Sequence, residues 1–75
     1  MGTKQKQERR TILAIRYRRR DGRWVLYADG KKPVLEGANK RQLTPAAARA
    51  AAAKRPARLD IYGIDGNLQT SYQYE

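Results

Sequence analysis

The sequence predicts an α+β fold, a two-layer ββ(β)αββ sandwich in which one Ala-rich helix covers a mostly antiparallel sheet. Two Asp-Gly dipeptides, Asp21-Gly22 and Asp65-Gly66, each lie between runs of alternating apolar and polar residues, the pattern of a β-hairpin. Between the hairpins stands AAARAAAAK, introduced by Thr44-Pro45 and stopped by Pro56, which is the best helix-forming stretch in the chain.

The first strand is expected over 11–19 and the second over 23–29. A two-residue type I′ turn at Asp21-Gly22 sets Arg20 opposite Arg23, Arg19 opposite Trp24, Arg18 opposite Val25, Tyr17 opposite Leu26 and Arg16 opposite Tyr27. Alternation then gathers Ile15, Tyr17, Trp24, Leu26 and Ala28 on a packing face with the stem of Arg19 over Trp24. Arg16, Arg18, Arg20, Arg23 and Tyr27 gather on the opposite face around Val25. Gly30-Lys31-Lys32-Pro33 is read as a turn and 34–37 as a short edge strand, followed by a polar loop over 38–42.

Thr44 can cap free N–H groups, and Pro45 at the first helical position loses no hydrogen bond, so the helix is expected over 45–55. Its alanines bury little area each and demand a close approach to the sheet. Leu43 stands ready as an apolar staple. The closing hairpin pairs Leu59 with Tyr72, Asp60 with Ser71, Ile61 with Thr70, Tyr62 with Gln69 and Gly63 with Leu68. The expected core is thus Leu13, Ile15, Tyr17, Trp24, Leu26, Leu43, Leu59, Ile61, Leu68 and Tyr72. Gly63 is expected where the chain comes close to Trp24 or the helix.

Seventy-five residues make one small domain, 11–75, preceded by a polar basic arm over 1–10 that reads as flexible. The chain has 17 Lys and Arg against 7 Asp and Glu. Thirteen of the bases and four of the acids fall in 1–41, so the charge is concentrated in the first hairpin and its surroundings. With no Cys and no His, disulfides, thiolate chemistry and ordinary zinc sites are excluded. No paired carboxylates, activated nucleophile or phosphate-cradling glycine loop is legible, so no enzyme and no cofactor are expected. The longest apolar runs fall far short of a membrane span, and a cytoplasmic location is expected.

Four arginines on one hairpin face suit phosphate oxygens and base edges, and this face is the candidate nucleic-acid site, DNA before RNA. Its residues are Arg16, Arg18, Arg20, Arg23 and Tyr27, assisted by Lys31, Lys32, Lys40 and Arg41 and by the arm. Two other readings stand beside it. The same face can be a solvated surface that guards a sheet edge, and the thin core leaves room for a protein-interaction module or a homodimer.

Gly22-Arg23-Trp24-Val25, the Ala-rich helix, and Leu59-Asp60-Ile61-Tyr62-Gly63-Ile64-Asp65-Gly66-Asn67-Leu68-Gln69 together resemble a family of small bacterial domains, domain of unknown function 2188. The resemblance spans most of 17–72, with a longer middle loop, and implies a fold of two hairpins and one helix without implying an activity. The first half, through Tyr17-Arg18, Asp21-Gly22 and Thr44, also looks like the arm-binding sheet domains of tyrosine recombinases, which present a sheet to DNA. The closing hairpin has no counterpart there.

Overall fold

The computed structural model describes residues 10–75, and of the basic arm expected over 1–10 only Arg10 falls among them. Five strands and one helix follow in the order β1 (Thr11–Arg18), β2 (Arg23–Ala28), β3 (Lys32–Gly37), α1 (Lys40–Ala53), β4 (Ala57–Tyr62) and β5 (Leu68–Tyr74). The fold is α+β as expected. The sheet order is β3-β2-β1-β4-β5, with three antiparallel ladders and one parallel ladder, β1 against β4, at its centre. The two hairpins therefore join side by side, and α1 carries the chain from one to the other.

The β1–β2 register differs from the expected one by two residues. Tyr17 pairs with Trp24, Arg18 with Arg23 and Arg16 with Val25. The connection is a four-residue turn, 19–22, closed by the Gly22 N–H on the Arg18 carbonyl at 2.9 Å. Gly22 takes φ 68° while Asp21 stays outside the left-handed region, so the dipeptide closes a four-residue loop instead of forming a type I′ pair. That paired left-handed geometry appears at Asp29-Gly30, with φ 52° and 89°. A shift of two preserves alternation, so each strand residue keeps its expected face. Arg19 and Arg20 leave the sheet for the turn, and the cation above Trp24 is Lys40, 5.2 Å from the ring, instead of Arg19.

β3 begins earlier than expected, at Lys32, and includes Pro33. Pro is tolerated because β3 is an edge strand whose missing N–H costs no ladder bond, and the register shifts next to it, between Leu26 and Tyr27. The helix also begins earlier, at Lys40. Asn39 is the cap, accepting from the Gln42 N–H at 3.1 Å, while the Gln42 side chain accepts from the Ala38 N–H at 3.0 Å. These two bonds outcompete Thr44, whose hydroxyl instead donates to the Lys40 carbonyl at 3.0 Å. Pro45 consequently lies inside the helix. The last helical residue is Ala53, with Lys54 as C-cap.

Leu43, Ala47 and Ala51, one turn apart along α1, are buried against Leu13, Ile15, Leu26, Ala57, Leu59 and Ile61 of the sheet. Trp24 and Tyr74 pack at the margin of this cluster. Leu68 and Tyr72 were expected in the core but are 53% and 50% exposed. Both belong to β5, the edge strand farthest from the helix's main contacts with β1 to β4, and a register shift beside Tyr62 pairs it with Leu68 instead of Gln69. The three pairs nearer the strand's middle, Leu59 with Tyr72, Asp60 with Ser71 and Ile61 with Thr70, stand as expected. The atoms nearest a Cβ at Gly63 belong to Gln69 and Asp65 of its own hairpin, not to Trp24 or the helix. A Cβ there would lie 2.8 Å from Gln69 Nε2, so Gly63 makes room for the hairpin's own side chain.

Candidate nucleic-acid interface

The face of the sheet away from α1 has no second layer among the described residues. Register places Arg16 and Arg18 of β1, Arg23, Val25 and Tyr27 of β2, Glu36 of β3, and Asp60 and Tyr62 of β4 on it. Val25 is fully buried here between Arg16 and Glu36, its partners in register. Long charged side chains whose stems cover apolar surface account for that burial.

The arginines of this face are not equivalent. Arg18 is held by two carboxylates: its Nε and Nη2 donate to Asp21 at 3.0 and 2.6 Å, and Nη2 also stands 3.0 Å from Glu36. Glu36 reaches Arg23 as well, at 3.4 Å from its Nε. Two arginines and two acids thus form a locally neutral cluster at one end of the face. The hydrogen bonds it donates, to Asp21 first and to Glu36 second, raise the Arg18 guanidinium further above its ordinary value. The same Arg18 hydrogen bond holds the Asp21 carboxyl below the usual carboxylate range.

A folded value below the unfolded one means that this carboxylate stabilises the fold fully above about pH 4 and ceases to do so as pH falls through its depressed value. Asp21→Asn is therefore expected to lower the melting temperature slightly at neutral pH. The variant should also lose less stability than the parent between neutral pH and pH 3, as measured by circular-dichroism melts. Identical acid limbs for the two proteins would remove Asp21 from the linkage.

Arg16 differs in kind. Its guanidinium lies over the Tyr62 ring, 3.8 Å from the centroid, and no carboxylate of the described residues is within ion-pair distance of it. Arg16 is exposed on the surface. Around it opens a depression of about 670 Å³ lined by Tyr27, Tyr62, Arg19, Lys31 and the β4–β5 turn. The β1–β2 turn supplies Arg19, and the β2–β3 turn supplies Lys31. Arg20 is exposed in the first turn and Lys32 at the start of edge strand β3.

Lys40 and Arg41 fall elsewhere. They occupy the first turn of α1, on the other layer, where Lys40 donates to Gln69 Oε1 at 2.6 Å and faces Trp24. The expected nine-residue set therefore divides into Arg16, Tyr27 and Lys31 around the depression, Arg18 bordering it but held with Arg23 in the neutral cluster, Arg20 exposed in the first turn, Lys32 at the edge, and Lys40 and Arg41 on the helix side.

Tyr62 was read as the partner of Gln69 and not joined to the basic site, because only the parallel ladder brings it beside Arg16. Ile15 pairs with Ile61 there, so the next residues are neighbours. Glu36 was missed as a partner of Arg18 and Arg23 for a similar reason: its register depends on the bulge beside Leu26.

Asp60 is 5% exposed on the same face and is satisfied by Arg58 Nε at 3.1 Å and the Ser71 hydroxyl at 2.7 Å. At the opposite end of the sheet Arg10 donates to Gln73 Oε1 at 2.9 Å and pairs with Glu75 at 3.4 Å. Among the described residues no group of three or more acidic side chains is placed to hold a metal ion, and no helix is long and apolar enough to cross a membrane. Comparison with protein-family models, curated proteins and solved structures finds no match to this chain.

Proposed function

We propose that this chain is a small, non-enzymatic, cytoplasmic nucleic-acid-binding module, DNA its first expected partner, that binds through the uncovered face of its sheet. The observation that carries the reading is Arg16, exposed over Tyr62 in an open depression that also presents Tyr27, Arg19 and Lys31. An unpaired guanidinium beside aromatic rings suits a phosphate–base unit better than it suits mere solubility. The formal charge of +10 supplies long-range attraction to any polyanion. Kinship with domain of unknown function 2188 belongs to the same proposal and rests on the residues of the two hairpins.

Fluorescence anisotropy with labelled oligonucleotides tests it. Arg16→Ala is expected to weaken binding about fivefold or more in about 0.1 M salt and to flatten the dependence of log K on log salt by about 0.7 to 0.9, one phosphate's worth. Glu36→Gln is expected to strengthen binding, because it frees Arg23 and removes one of the two acids that neutralise the cluster, leaving Arg18 on Asp21 alone. Unchanged binding by Arg16→Ala would remove the reading.

A second reading, a homodimer, draws on β5. This edge strand has no charged residue, exposes Leu68 and Tyr72, and is the least electrostatically hostile surface that a second copy of so basic a chain can meet. Analytical ultracentrifugation is expected to show concentration-dependent association that Tyr72→Lys abolishes. A strictly monomeric parent would dismiss this reading.

A further inference from the structure

We infer that the nucleic acid taken by the open face is single-stranded, with a base stacked on the Arg16 guanidinium. The inference rests on the nucleic-acid reading above and narrows it. A two-stranded ribbon enters a major groove only when its flanks are clear. Here the arginine-bearing β1–β2 pair is the middle of the sheet, with β3 on one side and β4 and β5 on the other. Five strands at about 4.8 Å spacing measure about 19 Å between the outer axes, wider than the roughly 12 Å of a B-form major groove. The short connections at 19–22, 29–31 and 63–67 leave no protruding wing that could enter in the sheet's place.

What the face does present is an open, partly aromatic depression. The Arg16 guanidinium carbon lies 3.8 Å from the Tyr62 ring centroid, and the side chain is exposed and lines the depression, so the side away from the ring is accessible. A nucleobase can extend this stack by one layer, since guanidinium planes and aromatic rings both accept base faces without regard to sequence. Tyr27 lines the same depression and offers a second ring. Arg19 and Lys31, on turns at opposite ends of β2, supply phosphate contacts at both ends of a strand laid across the face. In a duplex the bases are paired and stacked inside, and neither plane would be used.

The test compares anisotropy titrations of a labelled single-stranded oligothymidylate of about ten nucleotides and a duplex of the same length. The parent is expected to bind the single strand about tenfold more tightly at moderate salt. Arg16→Lys keeps the charge and removes the plane, and Tyr62→Leu removes the ring beneath it. Each is expected to lose about tenfold on the single strand and little on the duplex. The lysine variant should keep the parent's salt dependence, since its phosphate charge remains. Circular-dichroism melts check whether both variants fold, and the surface exchange Arg16→Lys keeps the test valid if Tyr62→Leu does not. Equal or tighter binding of duplex, or single-strand binding indifferent to Arg16→Lys, overturns the single-strand assignment while leaving nucleic-acid binding in place. No binding to either oligonucleotide overturns both.

Discussion

Leu59→Ala is expected to leave the protein without a cooperative native state at 25 °C. Leu59 is 1% exposed within the sheet, on the strand that pairs with β1 on one side and β5 on the other and lies beneath α1. Deleting a buried leucine to its Cβ removes transfer energy and leaves a void that a packed sheet cannot close, about 2 to 5 kcal/mol. A single core in a chain of this size supplies about 3 to 5 kcal/mol in total. The loss is comparable to the whole. Urea titrations followed by Trp24 fluorescence should show a sigmoidal transition for the parent and a drifting baseline for the variant. A variant with a cooperative midpoint close to the parent's would contradict the packing described above.

The second large effect comes from adding volume. Ala51 is fully buried, and with Ala47 it forms the part of α1 that lies flat on the sheet. Ala51→Leu inserts three carbons where no space exists, and the helix has to lift from the strands or accept strained rotamers, about 1 to 3 kcal/mol. Ala52→Leu is the matched control. Ala52 is exposed on the outer side of the same turn, so the same change there should alter stability by no more than about 0.5 kcal/mol. Equal melting temperatures for the two variants would mean that the alanines do not set the distance between the layers.

Much of this architecture is legible in local signals, and the misses share a cause. Alternation sorted β1 and β2 onto the correct faces even though the turn was misjudged, because a displacement of two residues conserves parity. Asp21-Gly22 suits both a two-residue and a four-residue loop, since each needs a left-handed glycine at Gly22. The helix start was misplaced because Thr44-Pro45 is a valid opening, and only the bonds from the Gln42 N–H to Asn39 and from the Ala38 N–H to Gln42 show that an earlier one prevails. Leu68 and Tyr72 have the right spacing for a core and lack a roof, and spacing does not reveal where one helix stops covering a five-stranded sheet.

For the candidate site, sequence identifies the arginines and their shared side, while their partners come from longer range. Arg18 looks as available as Arg16 in the sequence. Fold alone separates them, by bringing Glu36 to one and Tyr62 to the other. Both encounters cross between strands whose alignment depends on a bulge or on a parallel ladder. Neither leaves a short-range signature.

The parallel ladder at the centre of the sheet also decides the order in which the molecule can assemble. Arg18 meets Arg23 after a few residues of chain, and the closing hairpin is similarly local, so both can form within microseconds. Thr11 meets Ala57 only after 46 positions of chain have been drawn together. Closing that longer loop costs about 2 kcal/mol more entropy than closing either hairpin. The rate of folding is thereby set by one seam, formed when two ready-made halves and the helix between them come together. Substitutions confined to a hairpin tip should change how quickly the folded state is reached more than how long it lasts.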